Sequence, residues 1–334
     1  MVTDVAKKLP CDLTIATVCW NAIKCVHRCI ESVQPLYKSE LKVEHLFVDG
    51  VSTDGTLEYL QDQLAEGRIS RVISEPDNGL YDAMNKAIKH ARGKIIVFIN
   101  SDDEIFADAV PACCEPILSG RVSYTVASSL YISDTGEKLL VPHMKRALWR
   151  QPYCHQSMFC STELLRKVGG FRGDKFRIGA DTELMRRLYI DKIPYEVLSV
   201  TASRFYDGGV SSSPAVIAER YELMMHFENS YRDEVASCSA QVNHIVKHIR
   251  RYAVQKILAD NDKTLMNREY ERLKQFMQTI TERLPYSRRV ILFVYLFASF
   301  LEYKLMSCMV GRKGKDKDSI RAQISLVFLR TFFY

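Results

Sequence analysis

Residues Ser74–Asp103, SEPDNGLYDAMNKAIKHARGKIIVFINSDD, decide how the rest of the chain is read. Ala83, Met84, Ala87, Ile88 and Ala91 recur at helical spacing, and Gly93 is the expected stop. Lys94–Ile99 (KIIVFI) is then a continuous apolar run, the pattern of a strand covered on both faces within a parallel sheet. It runs straight into Asn100-Ser101-Asp102-Asp103. Two adjacent carboxylates at a strand end repel each other unless a cation lies between them and something anionic. Hard ions such as Mg²⁺ or Mn²⁺ take one or two carboxylates and complete their shell with phosphate oxygens and water.

The same alternation extends toward the N-terminus. Leu13–Cys19 and Glu44–Val48 read as strands, and Val72–Ser74 as a third, short one. Between them, Asn21 is expected to cap a helix carrying Ile23, Val26, Ile30 and Val33, and Leu57, Leu60 and Leu64 mark another. Strands alternating with helices through short loops predict an α/β fold with a doubly wound, mostly parallel sheet flanked by helices. Ligands of such sheets sit at the carboxyl ends of the strands. That rule selects Thr17–Asn21, Asp49–Asp54, Glu75–Asn78 and Asn100–Asp103, all rich in Asp, Asn, Ser and Thr.

Farther along, Val122–Ile132 reads as a strand, and Glu163–Val168 and Asp181–Ile190 as helices. After Pro214 the pattern is helical for about 70 residues. The expected organisation is a catalytic domain over 1–210, a helical extension over 211–284 and a tail over 285–334. Charge singles out that tail. The 334 residues carry 46 Lys+Arg and 40 Asp+Glu, a net +6, and residues 285–334 hold nine basic side chains against three acids. The body before Pro285 is therefore neutral.

Within the tail, Val290–Leu301 is 12 uncharged residues, too short for a spanning helix of about 20. Ser319–Tyr334 places Ile320, Ile324, Val327, Phe328 and Phe332 at helical spacing. Apolar helices with basic flanks suit the interface of an anionic membrane. Internal packing or a homo-oligomer contact is the competing reading. Positive charge confined to an apolar-studded end predicts no nucleic-acid partner. Ten cysteines without a CxxC pair, and an opening MVTDVAKKLP without an apolar leader, predict buried free thiols and a cytoplasmic body, peripheral on the inner face of the membrane.

The set TVCWNA (17–22), FVDGVSTDGT (47–56), 74–103 and GGFR…GADTELMRRL (169–188) resembles the family 2 glycosyltransferases of GT-A fold, in particular members that build bacterial surface polysaccharides. The resemblance spans about residues 11–210. It implies that Asp103 ligates Mn²⁺ or Mg²⁺ and that Asp102 contacts the ribose or the metal's surroundings. Asp49 would meet the nucleotide base, Thr17 and Asn21 would lie on the nucleotide side, and Asp77 and Asn78 would lie over the donor, with Lys86 reaching a phosphate. Asp181 would be the general base, and His155 would stand near the acceptor and diphosphate. Arg186 and Arg187 would balance that acid or approach phosphate. Three positions depart from the family pattern: Asn100 and Gly50 stand where acids are usual, and Val51 where glycine is usual.

The activity so implied is inverting transfer of a sugar from a nucleotide-diphosphate sugar to a hydroxyl of a polyprenyl-diphosphate-linked or oligosaccharide acceptor. A sugar nucleotidyltransferase shares the strand-end carboxylate–metal device. A non-catalytic membrane assembly protein with a degenerate site is the third reading. The tail makes its own prediction: the full chain should co-sediment with anionic liposomes, and a 1–284 truncation should not. Equal sedimentation of the two would remove the membrane role from residues 285–334.

Overall fold

The computed structural model describes residues 2–4, 11–148 and 151–207, with the single helical positions Glu219, Leu223 and His226. The chain divides into two compact units, Met1–Val216 and Ile217–Tyr334. The helical extension and the basic tail expected from sequence lie outside the described residues, those three positions apart.

The first unit runs β1 (Val2–Asp4), β2 (Cys11–Cys19), α1 (Val26–Val33), β3 (Val43–Asp49), α2 (Thr56–Ala65), β4 (Arg71–Ser74), α3 (Leu80–His90), β5 (Gly93–Phe98) and β6 (Glu104–Ile105). It continues with α4 (Val110–Leu118), β7 (Tyr124–Ser133), β8 (Gly136–Leu140), β9 (Met158–Ser161), α5 (Thr162–Lys167), α6 (Ala180–Ile190) and β10 (Tyr195–Tyr206). Among the described residues, ten strands form one sheet in the order β1-β4-β3-β2-β5-β9-β7-β10-β6, with β8 paired to β7. β4, β3, β2 and β5 are mutually parallel. β9 runs antiparallel to both β5 and β7, which returns β7 and β10 to the direction of β5. The carboxyl ends of β2, β3, β4, β5, β7 and β10 therefore share one edge.

Strand period sets the two layers. Leu13, Ile15, Ile95, Val97 and Ile99 face Cys29 and Val33 of α1 and Cys113 and Cys114 of α4. Ile96 and Phe98, one residue out of phase, meet Leu165 of α5, Phe171 and Leu184 of α6. Each such fully buried side chain contributes about 1.5–3 kcal/mol. The described cysteines are all free thiols, and Cys19, Cys29, Cys113, Cys114 and Cys160 are buried.

Two local expectations are corrected. Gly93 does not stop α3, which ends at His90; it is the first residue of β5. A side chain there would come within 2.3 Å of the Thr14 backbone nitrogen, so the glycine permits β5 to close on β2. Asn21 does not cap α1, which begins at Val26. The backbone N–H groups of Asn21, Ala22 and Ile23 are taken instead by Ser52, Thr56 and Asp54 of the loop after β3. Spacing within one segment cannot reveal a cap supplied by another.

His45, in the middle of β3, is fully buried against Phe47 and bonds through Nε2 to the Thr17 hydroxyl at 3.1 Å. Burial pushes its imidazole down from the ordinary 6.5 to about 3. The folded state thus refuses a proton that the unfolded chain accepts below pH 6.5. Stability should be complete above about pH 6.5 and fall as pH drops toward 3, by up to about 1.4 kcal/mol per pH unit from this group. Thermal melts from pH 7.5 to 4.5 check this, and the slope should flatten in His45→Gln.

Candidate active site

The loop after β5 is held by one carboxylate. Asp103 is 2% exposed, and its Oδ2 accepts hydrogen bonds from Gln156 Nε2 (2.8 Å) and Asn100 Nδ2 (3.1 Å). Its Oδ1 accepts from the Tyr206 N–H at 3.2 Å. The expected ligand is thus the inward member of the pair. Asp102 is the outward one, and its carboxylate has no partner among the described residues. Arg28 lies across the loop, donating to the Asp102 carbonyl at 3.2 Å with its guanidinium 4.1 Å from the Tyr206 ring centroid.

Gln156 is positioned in turn by three buried serines. The hydroxyls of Ser129 on β7, Ser203 on β10 and Ser157 lie within 2.7–2.8 Å of one another. They fix the short His155–Ser157 turn at the sheet edge. That turn presents His155 with Nε2 3.4 Å from Asn100 Oδ1 and Nδ1 3.5 Å from Asp181 Oδ2.

Asp181 lies in the first turn of α6, nearly buried. Its Oδ1 accepts from the Thr182 N–H (2.6 Å) and from Tyr81 (3.1 Å), and its Oδ2 from Gln151 (3.2 Å). Burial drives this carboxyl upward, but the hydrogen bond and charge of His155, with the Thr182 N–H and the Tyr81 hydroxyl, outweigh it and hold the group below the ordinary carboxylate value. Asp181 is therefore an ionised base near neutrality, above an apolar recess lined by Phe98, Met158, Phe171 and Leu184. The neighbouring arginines are structural. Arg186 donates to the Ala147 carbonyl, while Arg187 holds the carbonyls of Val168 and Gly170 and pairs with buried Glu183 at 2.9 Å. Asn85 clamps the same turn through both the N–H and the carbonyl of Phe171.

The edge over β2, β3 and β4 departs further from expectation. Asp49 is fully buried and consumed by its own loop, accepting from Val51 N–H, Ser52 N–H, Ser52 Oγ and Ser74 Oγ. It shapes the loop, with both oxygens accepting hydrogen bonds from within the fold. Val51 adopts φ 63°, an uncommon left-handed state for a β-branched residue that costs about 1–2 kcal/mol. Thr17 is equally buried, between His45 and Cys29, two residues short of the strand end. Asn21 accepts from the Thr53 N–H and ties the two loops together. Lys86 is spent on the Pro76 carbonyl, Glu75 and Asp82, bracing the β4–α3 loop instead of reaching outward. Asn78 is exposed, its N–H donating to Asp82 at 2.9 Å.

Beside them stands Trp20, 68% exposed, flanked by Gly50 and Asp77. Sequence reasoning passed over Trp20, Gln156 and Tyr81. Tyr81 precedes the Ala83–Ala91 stripe of α3, and nothing in its spacing marks it. Gln156 had only its place next to His155 as a signal, and the exposure of an aromatic after an apolar strand is a tertiary fact.

The carboxylate pair suits a divalent cation. Asp103 is pushed up to about 6, first by burial and then by the charge of Asp102, so a positive partner beside the pair would stabilise its ionised form. Carboxylate oxygens with an imidazole nearby are donors that Mg²⁺ and Mn²⁺ accept. No three His, Cys, Asp or Glu side chains converge as a cage among the described residues. Such an ion would therefore be completed by other oxygens.

Residues 14–173 match the profile of Glycosyl transferase family 2. An uncharacterized glycosyltransferase of Mycobacterium tuberculosis is 30% identical over 181 residues, covering 52% of this chain and 68% of that protein. The chain belongs to this family and is a glycosyltransferase. Chondroitin synthase of Escherichia coli is 34% identical over 109 residues, 33% of this chain but 16% of that larger one. In fold, the chain is similar to S. aureus TarS residues 1–349, solved with UDP-GlcNAc, at a TM-score of 0.60 and 15% identity over 89% of this chain and 90% of that one. The expected GT-A architecture is thus the one observed. Family membership also selects glycosyl transfer over nucleotidyl transfer or a purely structural role.

The two aspartates should separate in mutants. Asp102→Asn should leave the melting temperature near wild type and lose Mn²⁺-dependent binding of nucleoside diphosphate. Asp103→Ala orphans the donors of Asn100, Gln156 and Tyr206, at about 1–3 kcal/mol each, and should melt many degrees lower. Scanning fluorimetry with and without Mn²⁺ checks this; equal losses of stability in both variants would contradict the division.

Proposed function

We propose that this glycosyltransferase moves a sugar, with inversion, from a nucleotide-diphosphate sugar to a hydroxyl of a surface-glycan acceptor, with Asp181 as general base. The observation that carries this reading is the His155 bridge, which brings the Asn100–Asp103 loop and Asp181 to one edge of the sheet. A base and a carboxylate pair so arranged leave a reacting centre between them.

Asp181 Oδ2 takes the acceptor proton as the hydroxyl attacks the anomeric carbon from the face opposite the leaving diphosphate. Proton removal of this kind contributes about 10²–10⁴-fold. His155 and Gln151 orient that oxygen, and the Tyr81 hydroxyl and Thr182 N–H keep the other occupied. Asp102, with Asp103 behind it, would hold Mn²⁺ or Mg²⁺. When bound, the ion supplies neutralisation of charge on the departing diphosphate. Trp20 offers an aromatic face on the nucleotide side.

The similarity to a chondroitin synthase supports a polysaccharide as product, and the UDP-GlcNAc complex of TarS supports a nucleotide-sugar donor. The basic end of the chain supports an acceptor at the inner membrane surface, such as a polyprenyl-diphosphate-linked glycan. No helix among the described residues is long and apolar enough to cross a membrane.

A panel of nucleotide sugars assayed for released nucleotide, with and without Mn²⁺, tests the activity. Asp181→Asn should reduce release at least about 100-fold while the fold and nucleotide binding persist. Near-wild-type turnover in the folded variant would overturn the assignment.

A further inference from the structure

Three acids in a row follow the central strand, and each is treated differently. Asp103 is held inward by Asn100, Gln156 and the Tyr206 N–H. Glu104 pairs with Arg204 at 3.2 Å and accepts the Tyr206 hydroxyl. Asp102 keeps its carboxylate without a partner among the described residues, although a guanidinium lies beside it. An arginine next to a carboxylate ordinarily takes it through two parallel hydrogen bonds. Arg28 does not. Its Nη2 donates to the Asp102 main-chain carbonyl at 3.2 Å, and its guanidinium carbon lies 4.1 Å from the Tyr206 ring centroid, a cation–π contact. Its Nε has no hydrogen-bond partner among the described residues, so the ring and the carbonyl set its orientation. One helical turn later the Ser32 hydroxyl accepts the Ile105 N–H at 3.1 Å. Residues four apart share one face of a helix, so α1 grips the loop at both of its ends.

We infer that Arg28 and Tyr206 are positioning residues of the transfer reaction: the ring holds the guanidinium on the Asp102 carbonyl, which leaves the Asp102 carboxylate to a divalent cation. This rests on the cation reading above and names what keeps that acid available. Electrostatics alone would do the reverse. A guanidinium released from the ring would gain by closing on the Asp102 carboxylate, because a two-bonded ion pair outweighs one bond to a neutral carbonyl. The cation would then have to displace it. Arg204 shows that ordinary mode on the neighbouring acid, its guanidinium turned onto Glu104. Tyr206 is suited to prevent it at Asp102, since its own main-chain N–H is tied to Asp103 and its hydroxyl to Glu104. Groups that orient a metal ligand in this way count for about 10–100-fold in metal affinity.

The test measures binding of UDP, CDP, GDP and ADP to the full chain by calorimetry, with and without Mn²⁺, and follows the tightest. The readout is the gain in affinity that Mn²⁺ confers. Tyr206→Leu and Arg28→Lys should each cut that gain by about 10–100-fold, with the metal-free affinity and melting temperature near wild type. Tyr206→Phe keeps the ring and drops only the bond to Glu104, so it should retain the gain. Once Arg28→Ala has removed the guanidinium, adding Tyr206→Leu should cost nothing more. An undiminished gain in Arg28→Lys or Tyr206→Leu overturns this inference and leaves the transferase reading standing. So does an equal loss in Tyr206→Phe, additive losses in the double variant, or a matching fall in metal-free affinity. No Mn²⁺ gain in wild type, or one that survives Asp102→Asn, overturns the cation reading as well.

Discussion

A single buried carboxylate organises the catalytic edge. Asp103 gathers donors from its own loop, from a turn about fifty residues later and from the end of β10, about a hundred residues away. Segments distant in sequence are tied to one point, because a buried carboxylate must be satisfied by hydrogen-bond donors. The same bonds that hold Asp103 inward turn Asp102 outward. The proposed cation site and the architecture are consequently one construction, and burial with the charge of Asp102 pushes the Asp103 carboxyl up to about 6.

That construction reaches Asp181, the proposed base, through His155. The serine triad fixes the turn bearing both Gln156 and His155, so the residue that anchors Asp103 and the residue that touches Asp181 move as one. Asp181 is meanwhile held ionised despite burial, by donors from α3, from its own helix and from that turn. A base that stays charged inside a poorly solvated recess is ready to accept a proton without prior rearrangement.

The edge over β2, β3 and β4, the proposed nucleotide side, follows a different logic, in which one loop substitutes for another. The acid at the end of β3 is spent on its own strained turn, and the next position has no side chain at all. The β4–α3 loop fills the gap with Asp77, and Lys86 braces that loop from behind. A change at residue 50 thus cannot be read without residue 77.

Much of this was legible in one dimension. KIIVFI ending in Asn100–Asp103 specified a central buried strand with acids at its end, since period and polarity are local properties. Strand–helix alternation specified the α/β sheet, and α6 with Asp181 near its start followed from helical spacing. The antiparallel β9 and the long β10 were not read, because their pairing is decided by partners far away in the chain. Nor could spacing tell Asp102 from Asp103, or show that Asp49, Thr17 and Lys86 are consumed inside while Trp20 and Asp77 are left open. Sequence by itself determined which chemical groups gather at the strand ends. Only the tertiary structure decided which of them are already satisfied, because a hydrogen bond taken within the fold is no longer offered to a substrate.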